Sequence, residues 1–241
     1  MNSYGLTDTG LVRSNNQDSF GIILAHNIFL VADGMGGHNA GEIASQITIK
    51  NLISFFNNKK VSKMRGNPAE TRHSFCNSFN QTNKMVIKMA TENDSMHGMG
   101  CTLVACMIDN NTLHTCHVGD ARCYLITKNE IFQITNDHTS LAQVSEELRK
   151  NSAFASLPPR HVVTRVIGYP FPEDPEYHSM DIDSGDRILL CSDGLWSMVD
   201  DQQIHKTIQS AESPKEACES LIKQANEAGG NDNITALVVF C

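Results

Sequence analysis

Four aspartates stand beside glycine or amide residues at the ends of short strand-like runs. Asp33 precedes Gly34, Asp120 follows Gly119, Asp193 precedes Gly194, and Asp232 lies between Asn231 and Asn233. The first three follow IFLVA, LHTCHV and RILLCS, and Asp232 precedes ITALVV. A strand that ends this way projects a carboxylate from a sheet edge into a loop. Carboxylates brought together there repel one another unless a cation lies among them. With glycine carbonyls and water they form a hard, all-oxygen site that suits Mg²⁺ or Mn²⁺ rather than Zn²⁺. Turn chemistry alone accounts for any one Asp-Gly pair, because both residues favour turns. Several such pairs after apolar strands weaken that explanation.

A second pattern offers different chemistry. Cys116-His-Val-Gly119-Asp-Ala-Arg122 fits C-x-x-G-x-x-R, the phosphate loop of cysteine-dependent phosphatases, in which backbone N–H groups and an arginine surround an anion and activate the thiol. Against it, Asp120 would put a negative charge inside the cradle, and Cys116 sits in an alternating strand pattern. Asp181-Ile-Asp183-Ser-Gly-Asp186 is close to a calcium loop, but its twelfth position is Ser192 instead of a bidentate glutamate, so a tight turn before a strand is expected. The histidines outside the aspartate blocks show no ligand spacing and are read as surface or satisfied core groups. His138 is read as structural, and Trp196, Met198 and Val199 as packing behind the Asp193 loop.

The elements that must position these residues are short strands separated by turns. Asp18–Leu24 and Asn27–Ala32 form one pair, Cys101–Ile108 and Thr112–Val118 a second around Asp109-Asn110-Asn111, and Arg122–Thr127 and Ile131–Thr135 a third. Arg187–Ser192 and Ile234–Phe240 are later strands. Helical periodicity covers Asn39–Phe56 and Pro68–Glu92, the latter with Asn67 as N-cap, Pro68 at the first helical position and Glu70 placed for a capping box. A further helix starts at Ser213-Pro214-x-Glu216 and stops at Gly229-Gly230. Hairpins with helices between them predict an α+β fold, antiparallel sheets covered by helices.

The 241 residues are 40% hydrophobic, enough for one large core, and no linker, repeat or low-complexity tract divides them; residues 1–241 are read as a single domain. Apolar runs such as Ile28–Ala32 are far too short to cross a bilayer, and the N-terminus lacks a signal-peptide pattern. Eight cysteines without a C-x-x-C pair indicate neither a zinc site nor a disulfide framework, which points to a reducing, cytoplasmic setting. A net charge of −8 with no basic block argues against nucleic acid and anionic membrane as partners.

Seven blocks, in order, resemble the signatures of the 2C-type, metal-dependent protein serine/threonine phosphatases. They are Arg13-Ser-Asn-Asn-Gln-Asp18, Asp33-Gly-Met-Gly-Gly-His38, Gly98-Met-Gly-Cys-Thr-Leu103, His117-Val-Gly-Asp-Ala-Arg122, Thr135-Asn-Asp-His138, Ser192-Asp-Gly-Leu-Trp196 and Gly229-Gly-Asn-Asp-Asn-Ile234. DGMGGH and GGNDNIT look most like the compact bacterial branch. The resemblance implies a β-sandwich of two antiparallel sheets flanked by helices, with a metal site between the sheet edges. It implies that Asp33 bridges two divalent cations, Mn²⁺ or Mg²⁺. The Gly34 carbonyl would complete one shell, with Asp18 reaching it through water, while Asp193 and Asp232 hold the other cation. Asp120 would support, with Asp193, a weaker third. Arg13 would grip the substrate phosphate, and Asn233 would orient waters or ligands. A water activated by the two cations would attack phosphorus without a phospho-enzyme.

The substrates implied are phosphoproteins, a cognate serine/threonine kinase among them, and the enzyme is expected to be a monomer. Gln17 stands where many eukaryotic members have Glu. Met35 stands where several place a histidine thought to be the general acid, which leaves His38 as the nearest donor. The segment Thr139–Val166 is expected to be a flap beside the site. The rival readings are a cysteine enzyme using Cys116 and Arg122, and an inactive relative that only binds phosphoproteins.

Overall fold

The run Ile28-Phe29-Leu30-Val31-Ala32 is buried along its whole length, which a strand achieves only when both faces of its sheet are covered. Ile28, Leu30 and Ala32 point to one core and Phe29 and Val31 to another. That alternation, repeated in strand after strand, builds four layers. A computed structural model describes residues 1–36, 40–57, 61–142 and 162–241.

The first sheet has the order β1-β11-β10-β7-β8 and the second β2-β3-β5-β6-β9, with the short β4 paired to the end of β3. The strands are β1 (Asn2–Asp8), β2 (Asp18–Ile23), β3 (Ile28–Met35), β4 (Gly100–Cys101), β5 (Leu103–Asp109), β6 (Thr112–Val118), β7 (Arg122–Ile126), β8 (Ile131–Gln133), β9 (Glu176–Asp181), β10 (Arg187–Cys191) and β11 (Ile234–Phe240). Every paired strand is antiparallel. Phe29, Val31, Val104, Leu125, Leu190 and Leu237 fill the space between the sheets. The helices α1 (Ala40–Phe56), α2 (Val61–Met64) and α3 (Pro68–Glu92) cover the outer face of the second sheet. The short α4 (Asp193–Trp196), α5 (Asp201–Ser210) and α6 (Pro214–Glu227) cover the first. The α+β sandwich expected from the sequence is the observed architecture.

Several boundaries differ for physical reasons. The strand expected over Cys101–Ile108 is interrupted at Thr102, whose N–H donates to the Asp33 carbonyl at 2.8 Å and whose Oγ1 accepts the Asp33 N–H at 3.3 Å. That break hands β3 from β5 to β4 at the residue that matters most for the site. The Asn67 side chain caps α3 through the Glu70 N–H at 3.1 Å. The other half of a capping box is replaced, because the Asn67 N–H donates to the Met64 carbonyl at 2.9 Å. The complete box lies at Asp200 and Gln203, opening α5, a helix not expected from periodicity. The turn Asp183–Asp186 is tight, as expected, with the Asp183 N–H on Asp186 Oδ2 at 2.9 Å.

Most of the segment Thr139–Val166 lies outside the described residues, including Leu157-Pro-Pro-Arg-His161. Its two described ends meet, with the Ser140 N–H on the Val162 carbonyl at 2.8 Å and the Thr164 N–H on the His138 carbonyl at 2.7 Å. Among the described residues no helix is long and apolar enough to cross a membrane.

Candidate active site

Antiparallel pairing sets Asp18, the first residue of β2, directly opposite Asp33 on β3. The β6–β7 connection passes from one sheet to the other and carries Asp120. Asp193 follows β10 and Asp232 precedes β11, which are neighbours in the first sheet. Five carboxylates far apart in sequence therefore gather at one end of the sandwich. Asp33, Asp120, Asp193 and Asp232 line a cleft of ≈ 860 Å³, together with Gly34, Thr102, Arg13 and Arg122.

Asp18 sits behind them, buried. Its Oδ2 accepts from Ser192 Oγ at 2.6 Å and Thr235 Oγ1 at 2.7 Å, while its Oδ1 is buried without a hydrogen-bond partner. An orphaned carboxylate oxygen beside other carboxylates is costly unless water or a cation meets it. Burial pushes Asp18 up to about 7, with Asp193 and Asp232 adding repulsion against the two hydroxyl bonds. Burial likewise raises Asp120 to about 7, helped by Asp193 and Asp137. Asp33 is held well above the usual carboxylate range by loss of water and then by Asp18, Asp193, Asp120 and Asp232. Asp193 is raised by burial and Asp232, although a hydrogen bond with Asp33 opposes this. Two carboxylates in hydrogen-bond contact must share a proton, or a cation must take its place. The donor set is all oxygen and strongly anionic, and it fits hard divalent cations.

The surrounding residues explain how the cluster is held. Gly34 is packed so closely against the Gly41 and Gln17 carbonyls that a Cβ would collide with both. The Asn233 amide is fully engaged with backbone: it donates to the Thr9 and Asn15 carbonyls at 2.9 Å each and accepts the Gln17 N–H at 2.9 Å. Asn233 was expected to orient waters or ligands; instead it pins the loop that carries Arg13. Arg13 itself reaches Asp232 Oδ2 at 2.8 Å and is half exposed at the cleft rim. His38 lies outside the described residues. Met35 occupies the end of β3 and lines the cleft.

Three residues support the site in ways the sequence does not reveal: Thr102, Arg122, read only within the C-x-x-G-x-x-R pattern, and Trp196, read only as packing. Thr102 holds both backbone groups of Asp33, as described above. Arg122 forms a two-pronged ion pair with Asp137, at 2.9 and 2.7 Å, and stacks 3.6 Å over the Trp196 ring. Trp196, whose indole N–H donates to the Asp120 carbonyl at 3.0 Å, thereby fixes the Asp120 turn besides packing against the helix layer. The Asp137 partner explains why Arg122 is not available to a C-x-x-G-x-x-R cradle. Cys116 is fully buried in β6 on the face toward α1 and α3, with its thiol pushed well up by burial.

His138 is structural, as expected. Its Nδ1 accepts the Gly119 N–H at 3.2 Å and its Nε2 meets Glu176 at 3.0 Å. His117, His138 and Glu176 place ligand-type atoms within 4.8 Å of one another. The Gly119 bond, however, assigns the His138 proton to Nε2, which removes the lone pair a metal would need.

Residues 6–234 match the family model described as protein phosphatase 2C. The serine/threonine phosphatase stp of Listeria welshimeri is 32% identical over 238 residues, which cover 97% of this chain and 93% of the relative. Protein phosphatase PhpP of Streptococcus pneumoniae is 32% identical over 240 residues, covering 97% and 95%. Among solved structures, the Mycobacterium tuberculosis serine/threonine phosphatase PstP/Ppp superposes with a TM-score of 0.85 at 33% identity, covering 98% of this chain and 96% of that one. The catalytic domain of PstP in complex with two manganese ions superposes with a TM-score of 0.82 at 33% identity, covering 98% and 96%.

Proposed function

The chain belongs to the protein phosphatase 2C family, a family of metal-dependent protein serine/threonine phosphatases, and on that premise we propose that residues 1–241 form one catalytic domain whose five aspartates hold two divalent cations. The observation that carries this reading is the convergence of Asp18, Asp33, Asp120, Asp193 and Asp232 at one end of the sandwich, with Asp18 Oδ1 buried and unpartnered. Asp33 lies centrally, its charge opposed by the other four, and is assigned to both cations. The Gly34 carbonyl, with Asp18 through water, would hold the first cation, and Asp193 and Asp232 would hold the second. Asp120, whose charge is opposed by Asp193, would support a weaker third. Mn²⁺ and Mg²⁺ both suit these oxygen donors, and the two manganese ions of the PstP relative favour Mn²⁺.

When bound, the cations supply positive charge for the phosphoryl oxygens and make water acidic enough to attack near neutral pH. The chain's own residues do the rest. Arg13 presents a planar guanidinium at the cleft rim, suited to two oxygens of the substrate phosphate. Asp232 steers that guanidinium and Asn233 fixes the loop below it. Thr102 holds the Asp33 backbone, and Trp196 holds the Asp120 turn. His38, the nearest histidine to the Asp33 block, is assigned as proton donor to the departing serine or threonine oxygen.

The cleft is open at the surface, as a phosphorylated segment of another protein requires. A cognate kinase is the natural counterpart of such an enzyme. The net charge of −8 disfavours nucleic acid and anionic membrane as partners, a monomer suffices for the site because all five aspartates come from one chain, and the cysteine pattern favours the cytoplasm.

Two measurements test the assignment. Turnover of a phosphothreonine peptide and of para-nitrophenyl phosphate should vanish in EDTA and return with added Mn²⁺. Full activity in EDTA would overturn the metal reading. Arg13→Ala should raise KM about tenfold or more with a smaller change in kcat, because the guanidinium holds phosphate both before and during transfer. An unchanged KM would remove Arg13 from phosphate binding.

A further inference from the structure

The chain contains one cysteine pair that joins a solvent-accessible thiol to a buried one. Cys76 on α3 is partly exposed, whereas Cys116 in β6 is fully buried. The two thiols lie within interaction distance of each other where α3 packs on β6. The surrounding packing fixes this approach. Cys116 stands opposite Tyr177 in the β6–β9 ladder, and Cys76 Sγ lies 3.9 Å from the carbonyl of Pro175, two residues before Tyr177. Tyr177 in turn ties β9 to α3, its ring 6.5 Å from Phe75 and its hydroxyl donating to the Pro68 carbonyl at 3.4 Å.

The setting of Cys76 differs from that of the other cysteines. The Cys116 S–H stabilises its thiolate first, and Arg72, one turn earlier on α3, assists, so that Cys76 is lowered to about 7 despite partial burial and Asp174. Burial instead pushes Cys101 and Cys218 up to about 12 and Cys241 to about 11. Cys106 and Cys123 also touch, but both lie fully buried between the sheets, out of reach of an oxidant. An accessible, acidified thiol beside a second thiol is the arrangement that captures peroxide reversibly.

We propose that Cys76 and Cys116 form a peroxide-reactive dithiol, in which Cys76 is oxidised first and Cys116 closes the disulfide that clamps α3 onto β6. The Cys76 thiolate attacks one peroxide oxygen, the O–O bond breaks, and hydroxide leaves to give a sulfenic acid. Cys116 sulfur then attacks Cys76 sulfur, the S–O bond breaks, and the Cys116 proton leaves with the departing hydroxide as water. Two thiols lose two electrons, and the peroxide is reduced to water. The link would form four residues before Asp120, on the strand that carries that residue into the cleft. It would also protect Cys76 from irreversible over-oxidation.

The test is hydrogen peroxide treatment of the full-length, Mn²⁺-loaded protein, followed by non-reducing peptide mapping with fragmentation. A Cys76–Cys116 linkage, reversed by dithiothreitol, is expected in the wild type. Cys116→Ser should lose the linkage and leave Cys76 as a dimedone-reactive sulfenic acid. Wild-type Cys76 that stays a free thiol, proceeds to sulfinic acid, or pairs with any other cysteine would overturn the proposal, and that reading does not depend on the variant folding. A Cys116→Ser protein that folds but shows no sulfenic acid at Cys76 would overturn the assignment of Cys76 as the thiol attacked first.

Discussion

Asp33→Asn is expected to lower hydrolysis of both phosphopeptide and nitrophenyl phosphate by ~10³-fold or more, while raising the melting temperature of the metal-free protein. The two effects have one cause. Asp33 is the carboxylate opposed by all four of its neighbours and in hydrogen-bond contact with Asp193. An asparagine of the same shape keeps that contact as an N–H donor to Asp193 and needs neither the buried charge nor the proton uptake that Asp33 requires on folding. The metal-free fold gains from the relieved repulsion. The active form loses the ligand assigned to both cations, and charge stabilisation by bound metal is worth several kcal/mol of barrier, or about three powers of ten in rate. Thermal melts in EDTA and turnover in Mn²⁺ should therefore move in opposite directions. An active Asp33→Asn enzyme would remove Asp33 from the metal site. A variant that loses activity and also melts earlier in EDTA would show that Asp33 supports the fold rather than straining it.

The same tension explains what was legible in the sequence. Asp33, Asp120, Asp193 and Asp232 stood out because each interrupts an apolar run next to glycine or amide residues, a pattern that packing does not require. The central strands were legible for the opposite reason: β3, β5, β10 and β11 are buried on both faces and read as continuous apolar runs, while β6 shows the alternation of a strand. The edge strands β1 and β9 were not. Asn2–Asp8 and Glu176–Asp181 are half exposed and rich in polar residues, and they are strands because β11 and β6 offer them partners. Helix α5 was missed because only Ile204 and Ile208 are buried along its ten residues, although Asp200 and Gln203 marked its start. Thr102 gave no signal, since a single interruption in a strand is a tertiary matter, dictated by where β3 must deliver Asp33. Arg122 was visible only as part of a misleading motif, and its commitment to Asp137 and Trp196 exists only in the folded chain. Convergence itself was out of reach of local pattern, because it depends on which strands neighbour one another: Asp18 meets Asp33 through β2–β3 pairing, and Asp193 meets Asp232 through β10–β11 pairing.

Metal-free protein should lose stability as pH rises from about 5 to about 7, and saturating Mn²⁺ should flatten or reverse that trend. Asp18 and Asp120 move from 3.8 in the unfolded chain to about 7 in the fold, and Asp33 and Asp193 move in the same direction. A carboxyl raised in this way binds its proton more tightly folded than unfolded. Its contribution is fully present below the unfolded value, and it is lost as pH climbs through the folded one. Several such groups acting together weaken the metal-free fold by roughly a few kcal/mol across that interval. Glu176 runs the other way, lowered to about 2 by His138 and Asn136 hydrogen bonds against its burial, but its window closes below the ordinary glutamate value. His117, lowered to about 4 chiefly by burial, and His138, lowered in the same direction, oppose the loss up to their ordinary value of 6.5, and the four raised carboxyls together outweigh them, so the fall is steepest just above that value. Cations reverse the balance because they bind the ionised carboxylates. Binding grows stronger with pH and contributes about 4 kcal/mol once free metal is a thousandfold above its dissociation constant. Melting curves collected across this pH range, with EDTA or with Mn²⁺, separate the two regimes. A flat profile in EDTA would mean that the carboxylates keep their ordinary proton affinity. Parallel slopes with and without Mn²⁺ would mean that the metal does not bind among them.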